Sequence, residues 1–437
     1  VPSTAPLADA AAPVPPQPVR RIAFYSHDTQ GLGHTRRNIA LAGALVAAHP
    51  GTDVLLITGN PEACMLPLPQ QTDVLTLPTI RKTASGQYAS RALASPLEMV
   101  LDLRARMLEA TLGSFAPDLL VVDKVPAGVG GELLPALATL RAQGGTRVVL
   151  GLREVLDSPE VAVREWAAAG TTETLREHYD AVWVYGDPDV HDPVAEYGLP
   201  ADIASMVSYT GYLGAGRSEG MRPRTRPSAG VRPPAVPYVL CMVGGGQDGQ
   251  QLAEAFAAAA LPAGHRGVLL TGPFMRPAAR AALTQAARDD GRLEVHEFVS
   301  DCDEFIAGAA AVVSMAGYNS VCELLAAGCP TLLVPRVHPR EEQLVRAERL
   351  AARGLVDSCH PDALSSAVIA DWAQRAVRGP APAGQPVDLD GLRRVPVLAG
   401  QLLARQVADV AAPALLALPG RGGRRSAREL VGVGHAA

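Results

Sequence analysis

Short apolar runs alternate with stretches of helical spacing along most of this chain. The first run, RIAFYS, leads into polar HDTQGLGHTRRN, then into helix-like IALAGALVAAH, and then into a second run, TDVLLITG. Strand, loop, helix and strand of these lengths make a βαβ unit, which implies a parallel sheet covered by helices. Further strands are predicted at 73–77, 118–123, 147–152 and 181–184, with helices near 91–114, 128–142 and 159–178. Residues 82–90, KTASGQYAS, show no periodicity and read as a substrate-facing loop. A second alternating series begins at residue 237. YVLCMVGGGQDG is a strand and a Gly-rich turn, and QQLAEAFAAAAL a helix. HRGVLLTGPF, LEVHEFV, AAVVSMAG and PTLLVPR then supply strands, with helices near 277–288 and 302–309 and at NSVCELLAAG.

The pattern divides the chain into a mobile leader (1–19), an N-terminal Rossmann-like domain (20–214), a Pro/Arg-rich linker (215–236) and a second Rossmann-like domain (237–375). A helical segment (376–415) packs back toward the first domain, and a flexible tail (416–437) follows. The fold class is therefore α/β: two doubly wound domains facing a central cleft. Ligands of such sheets bind outside the carboxyl ends of the strands, so the cleft is the expected site.

Composition sharpens this picture. At 437 residues the chain is two to three times a typical domain, which favours two cores over one. It is 48% apolar and 19% charged, as a globular protein is, and only 4% aromatic, so Ala, Val and Leu must build the core. With 39 Lys and Arg against 44 Asp and Glu the net charge is -5, which argues against nucleic acid as a partner. No apolar run is long enough to span a bilayer; 306–317, among the longest, still contains a serine. Peripheral membrane contact is left open but not indicated. The Ala/Pro-rich stretch 7–19 contains Asp9 and precedes Arg20 and Arg21, the reverse of a signal peptide. Six cysteines without a C-x-x-C pair read as free thiols in a reducing cytoplasm.

The loops after the strands hold the candidate chemistry. In SHDTQGLGHTRRN, Gly31 and Gly33 let the backbone approach a ligand on the acceptor side, and His34 stands at the mouth of the next helix. A neutral imidazole accepts a proton near neutrality, so His34 is the first candidate base, with Asp28 as its orienter or alternative and His27 as a further candidate. The loop is not G-x-G-x-x-G, and the next strand lacks the terminal acid that would clasp a dinucleotide ribose, which weakens an NAD site. Arg153, at another strand end, is placed on the acceptor side. In the second half GGGQDG turns its backbone N–H groups toward an anion. In SMAGYNSVCELLAAGCPTLLVPRVHPREEQ, Asn319 or Ser320 can cap a helix whose free N–H groups favour phosphate. Glu323, one turn in, can accept hydrogen bonds from two vicinal hydroxyls of a sugar ring. His338, Glu341, Glu342 and Gln343 at the next strand end can fix sugar hydroxyls. Two D-x-D spacings, 187–189 and 301–303, are weak candidates for a metal, and no metal or other cofactor is expected.

The 314–354 segment fits S-x-x-G-x-x-[ST]-x-x-E-x-x-x-x-G-x-P-x-[IL]-x-[IVL]-P, and with it the chain from about 20 to 375 resembles the inverting glycosyltransferases of the GT-B fold. It is most similar to the family 28-like group that contains the bacterial undecaprenyl-diphospho-muramoylpentapeptide N-acetylglucosaminyltransferase. The resemblance implies that His34 lies at the catalytic centre. Gly245, Gly246, Gln247, Gly317, Asn319 and Ser320 are implied at the donor diphosphate, Glu323 at the ribose, and Phe298 and Val299 beside the nucleobase. Glu342 and Gln343 are implied at the donor sugar. The cell-wall enzyme has two glutamines at that last pair and Thr-Gly-Gly-His in the first loop, so another donor sugar and another acceptor are expected. The implied activity is inverting, metal-independent transfer of a sugar from a nucleotide diphosphate, UDP by preference, to a hydroxyl or amine of a small acceptor. A nucleotide-sugar 2-epimerase, served by Asp28, Glu341 and Glu342, and a non-catalytic nucleotide-sugar-binding protein are the alternatives.

Overall fold

The computed structural model of the protein describes residues 20–28, 31–83, 87–217, 221, 231–299, 302–380 and 383–416. The leader, most of the linker and nearly all of the tail lie outside these residues. The N-terminal half opens with β1 (Arg21–Ser26), α1 (Gly33–Ala48), β2 (Asp53–Thr58) and β3 (Thr72–Thr76). A hairpin of β4 (Ile80–Lys82) and β5 (Tyr88–Ser90) follows, then α2 (Leu97–Phe115) and β6 (Leu119–Asp123). The half continues with α3 (Leu134–Gln143), β7 (Arg147–Arg153), α4 (Pro159–Ala168), α5 (Thr171–His178) and β8 (Ala181–Tyr185). Two single turns, α6 (Pro193–Glu196) and α7 (Ala201–Ala204), lead to β9 (Val207–Tyr209).

The second half runs β10 (Tyr238–Met242), α8 (Gln250–Ala257), β11 (Arg266–Leu270), α9 (Pro277–Asp290), β12 (Leu293–His296) and α10 (Cys302–Ala307). It continues β13 (Ala311–Ser314), α11 (Tyr318–Ala327), β14 (Thr331–Leu333), α12 (Glu342–Ala352) and β15 (Asp357–Ser358). It ends with α13 (Ser366–Ala376) and α14 (Gly391–Leu416).

Two parallel sheets result, ordered β3-β2-β1-β6-β7-β8-β9 and β12-β11-β10-β13-β14-β15. Their central strands are covered on both faces, which is why they read as unbroken apolar runs: LLVVD of β6 and YVLCM of β10 are buried at every position. Helix α1 is buried from Ile39 to Val46 because it is packed against the sheet, α11 and α14 at once. The fold is the expected pair of Rossmann-like units.

Several expected elements change. The helix expected over 159–178 is two, α4 and α5, broken where Gly170 turns left-handed at φ 58°. The helix expected from 128 begins only at Leu134, because Gly128, Gly130 and Gly131 all hold positive φ. The 82–90 segment is not a featureless loop: its ends pair antiparallel as β4 and β5, with 84–86 outside the described residues. The short edge strands β9 and β15 carried too few apolar positions to announce themselves.

Candidate active site

Each sheet reverses its order at one point, between β1 and β6 in the first half and between β10 and β13 in the second. The chain leaves the two strands at such a point in opposite directions, and a crevice opens at their carboxyl ends. The loop after β1 carries His27 and Asp28 and the first turn of α1 carries His34, while Asp123 ends β6 and Arg153 ends β7. The loop after β10 carries Gly245, Gly246 and Gln247, the turn after β13 carries Gly317, and the first turn of α11 carries Asn319 and Ser320.

On the N-terminal wall His34 Nδ1 lies 3.0 Å from Asp123 Oδ1. Arg37, one turn further along α1, donates to the same carboxylate through Nη2 at 2.6 Å from both oxygens and Nε at 3.1 Å, and its Nη2 also lies 3.0 Å from His34 Nδ1. Burial alone would raise the Asp123 carboxyl, but Arg37 and His34 outweigh burial and hold it well below the usual carboxylate range. An ionised, buried carboxylate therefore holds one nitrogen of a half-buried imidazole. Asp123 is the partner that the sequence reading missed. Its signal was an acid at the carboxyl end of a strand beside β1.

Asp28 is not that partner, which corrects the orienter role given to it. Its Oδ2 accepts hydrogen bonds from Ser26 Oγ, Thr58 Oγ1 and Thr35 Oγ1, at 2.5, 2.5 and 3.3 Å. Tied to three hydroxyls and buried at φ 25°, Asp28 fixes the loop rather than His34. His27 is buried with its ring centroid 5.3 Å from that of His34. Burial first, and then His34 and Lys124, push its imidazole well below the usual value, so it is neutral. Gly59 is required beside it, since a Cβ there would stand 2.4 Å from the His27 carbonyl oxygen.

The C-terminal wall is made of backbone. Gly246, at φ +91°, packs so closely that a Cβ would meet the Thr271 carbonyl at 2.2 Å, and the Phe274 N–H donates to the Gly245 carbonyl at 2.9 Å. Helix α11 starts at an N-cap of Gly317 with no side-chain cap, so neither Asn319 nor Ser320 caps it as expected. Asn319 Nδ2 instead reaches across the cleft to the Gly33 carbonyl at 2.9 Å. Glu323 is buried, and its Oε1 accepts from Arg36 Nη2 at 2.7 Å and Arg217 Nη1 at 3.2 Å. Arg36 thus bridges α1 to α11. Phe298 is exposed beyond β12 while Val299 is buried.

Glu342 opens α12 and is also buried. Arg336 Nη2 donates to its Oε1 at 2.5 Å, and Oε2 has no partner. Gln343 Oε1 accepts from the Arg336 N–H at 3.1 Å. The Glu341 side chain and His338 are exposed. A cavity of about 280 Å³ lies between the walls, lined by Asp28, Gly31, Asn60 and Lys82 on one side and by Gln247 and Phe274 on the other.

Beside it the walls are joined by buried charge. Arg346 of α12 binds Glu154, just past β7, through Nε at 2.5 Å and Nη2 at 3.1 Å, with both side chains fully buried. Tyr212 donates to the same carboxylate at 3.1 Å, and the Tyr318 ring lies 5.6 Å from both Arg37 and Arg346. Of the D-x-D spacings, Asp187 accepts the backbone N–H groups of Asp189 and Asp388, while Asp301 lies outside the described residues. Among the described residues no helix is long and apolar enough to cross a membrane.

Residues 239–370 match the glycosyltransferase family 28 C-terminal domain. Over 415 residues the chain is 28% identical to a UDP-N-acetylglucosamine–N-acetylmuramyl-(pentapeptide) pyrophosphoryl-undecaprenol N-acetylglucosamine transferase of Solidesulfovibrio magneticus, covering 90% of this chain and 97% of that one. Among solved structures the spinosyn forosaminyltransferase SpnP superposes with a TM-score of 0.53 at 14% identity, over 92% of this chain and 100% of its own. The calicheamicin glycosyltransferase CalG4 superposes with a TM-score of 0.50 at 20% identity, over the same shares. These superpositions speak for the two-domain fold.

Proposed function

We propose, from the premise that the chain is a family 28-like glycosyltransferase of the GT-B fold, that it transfers a sugar from a UDP-sugar to a hydroxyl or amine by a single inverting displacement. The observation that carries this reading is the His34–Asp123 pair on one wall of a cleft whose other wall presents the uncapped start of α11. The acceptor sits in the cavity by Asp28, Gly31 and Lys82. With its proton on Nδ1, directed at Asp123, His34 offers Nε2 as the base. That tautomer is assigned from the ionised carboxylate beside it. As Nε2 takes the acceptor proton, the acceptor oxygen or nitrogen bonds to C1. The bond from C1 to the diphosphate oxygen breaks, and its electron pair leaves on the phosphate.

The leaving diphosphate is received by the N–H groups of α11 and of the turn at Gly245, Gly246 and Gln247, which are fixed in place before the reaction. No metal is assigned a part, and turnover is expected to survive EDTA. Glu323 holds the ribose once donor has displaced Arg36 from it. Glu342 and Gln343 face the donor sugar. Cys64, Cys241, Cys322, Cys329 and Cys359 are free thiols, which suits a cytoplasmic setting. Calorimetric titration with UDP, dTDP, GDP, ADP and their sugars tests the reading. Binding of a uridine nucleotide is expected, and no binding by any of them would sink it. Incubating the bound UDP-sugar without acceptor separates transfer from epimerisation, since transfer predicts slow hydrolysis and no epimer.

A further inference from the structure

The N-terminal wall holds cations that the protein's own carboxylates do not answer. Lys124 follows Asp123 at the end of β6, in the left-handed region at φ 69°, with its N–H bonded to the Gly151 carbonyl of β7. Arg153 ends β7 beside it, and Lys82 ends β4 in the neighbouring hairpin. Among the described residues neither lysine makes an ion pair; Lys82 rests only on the ring of Tyr88, 5.2 Å from its centroid. The Arg153 side chain is 16% exposed, its Nε has no partner, and its one carboxylate, Glu342, stands 3.8 Å away.

That carboxylate is already bound by Arg336. The other acids nearby are also taken, Asp157 and Glu165 by Arg340, and Asp123 by Arg37 and His34. Lys124 and Arg153 therefore share part of one carboxylate, Glu342, and the acid that acts on Lys82 is Glu165, already held by Arg340. A non-glycine residue held left-handed and charges left uncompensated by burial are both costs that a fold retains at functional positions. The Lys124 amine shows the strain. Burial first, and then Arg153 and Arg340, push it down to about 7, with Lys82 adding to and Glu342 opposing the effect.

We propose that Lys124, Arg153 and Lys82 bind an anionic group, a carboxylate or a phosphate, carried by the acceptor next to the atom that His34 deprotonates. The assignment to the acceptor rests on the glycosyltransferase reading. All three cations stand on the wall of the His34–Asp123 pair, and Lys124 is the residue after Asp123. The donor contacts belong to the other wall.

The test uses the full chain saturated with UDP, so that the donor phosphate positions are filled, and titrates inorganic phosphate by calorimetry near neutral pH, with chloride as control. Phosphate is expected to bind and chloride not. Lys124→Met and Arg153→Gln should each weaken phosphate about tenfold or more, the loss of one charge-assisted hydrogen bond. Thermal melts of both variants show whether any loss comes from misfolding. Equal phosphate affinity in the parent and both variants overturns the proposal. UDP-glucuronate and UDP-glucose provide the donor arm. If the carboxylate sugar binds about tenfold tighter and Arg153→Gln abolishes that preference, the anion is the donor's and the acceptor assignment is wrong. Absence of UDP binding with variant-sensitive phosphate binding would reject the glycosyltransferase reading and keep the anion site. UDP binding without such a site rejects the anion site alone.

Discussion

The two walls of the cleft are made of different material. The C-terminal wall is backbone: a Gly-rich turn after β10 and the uncapped start of α11, each from one contiguous segment. The N-terminal wall is side chain: His34 and Arg37 from α1, Asp123 from β6 and Arg153 from β7, drawn together by the order of the sheet. A backbone site suits a group that many ligands share, such as a diphosphate, because every N–H group is alike. A side-chain site suits a particular proton and a particular partner. On the proposed function, donor binding falls to one wall and chemistry to the other, and mutations should separate them.

The largest expected effect falls on the side-chain wall. His34→Ala should lower the chemical rate by about 10²–10⁴-fold while donor affinity stays unchanged. Asp123→Asn should lower it by roughly 10² or more, because an amide no longer fixes the proton on Nδ1. Asp28→Asn should act chiefly on stability, since Asp28 holds hydroxyls of its own loop. Single-turnover rates alongside calorimetric donor affinities check all three. A normal rate in His34→Ala, or a large donor-affinity loss in it, would break the assignment.

The same contrast decides what the sequence made legible. Strands β1, β2, β6, β10 and β13 read clearly because double-sided burial forces unbroken apolar runs, and the glycines at 244–246 mark a turn that tolerates almost nothing else. The hairpin of β4 and β5 was illegible, since its short strands stand outside the main sheets and carry no period. Among charged groups, closeness in the chain misled. Asp28 lies six positions before His34 and serves the loop, whereas Asp123 lies 89 positions away and touches the imidazole. Glu323 was singled out by its place one turn into a helix and Glu342 by its place after a strand, but their partners Arg36 and Arg153 come from the opposite domain, which no local pattern records.

Next in size is the charge that joins the walls. Arg346→Met leaves Glu154 buried without its partner, and a broken buried pair costs about 3–5 kcal/mol. Urea unfolding should show a loss of that order, and the double variant with Glu154→Gln should recover part of it. An unchanged midpoint would mean that the walls are not coupled through this pair. A smaller and more selective effect is expected at Glu323. Glu323→Gln should weaken donor binding by about 10–150-fold, corresponding to ~1.5–3 kcal/mol for a charged hydrogen-bond acceptor, with the rate at saturation nearly kept. Arg36→Met should tighten donor binding, because Arg36 occupies the carboxylate proposed to hold the ribose. If donor affinity ignores both changes, the ribose lies elsewhere.

The last effect sharpens the comparison most, since it belongs to the side-chain wall alone and is read without substrate. Lys124 has its amine at about 7 against an ordinary value of 10.5. Between these values the unfolded chain keeps a proton that the native chain has released, so this group makes stability rise with pH across that window. Below about 7 both states hold the proton, and the native state bears the full cost of burying it beside Arg153, Arg340 and Lys82. Lys124→Met removes that cost. The variant should therefore melt above the parent at about pH 6, and the sign of that gap is the readout. The gap should narrow as pH climbs from about 7 and close toward 10.5. Added phosphate should raise the melting temperature of the parent at the lower pH, by supplying the counter-charge, and raise that of the variant less. Melting curves that run parallel for parent and variant across the whole range would show that the amine is not held down, and that the N-terminal wall has no unanswered charge at Lys124.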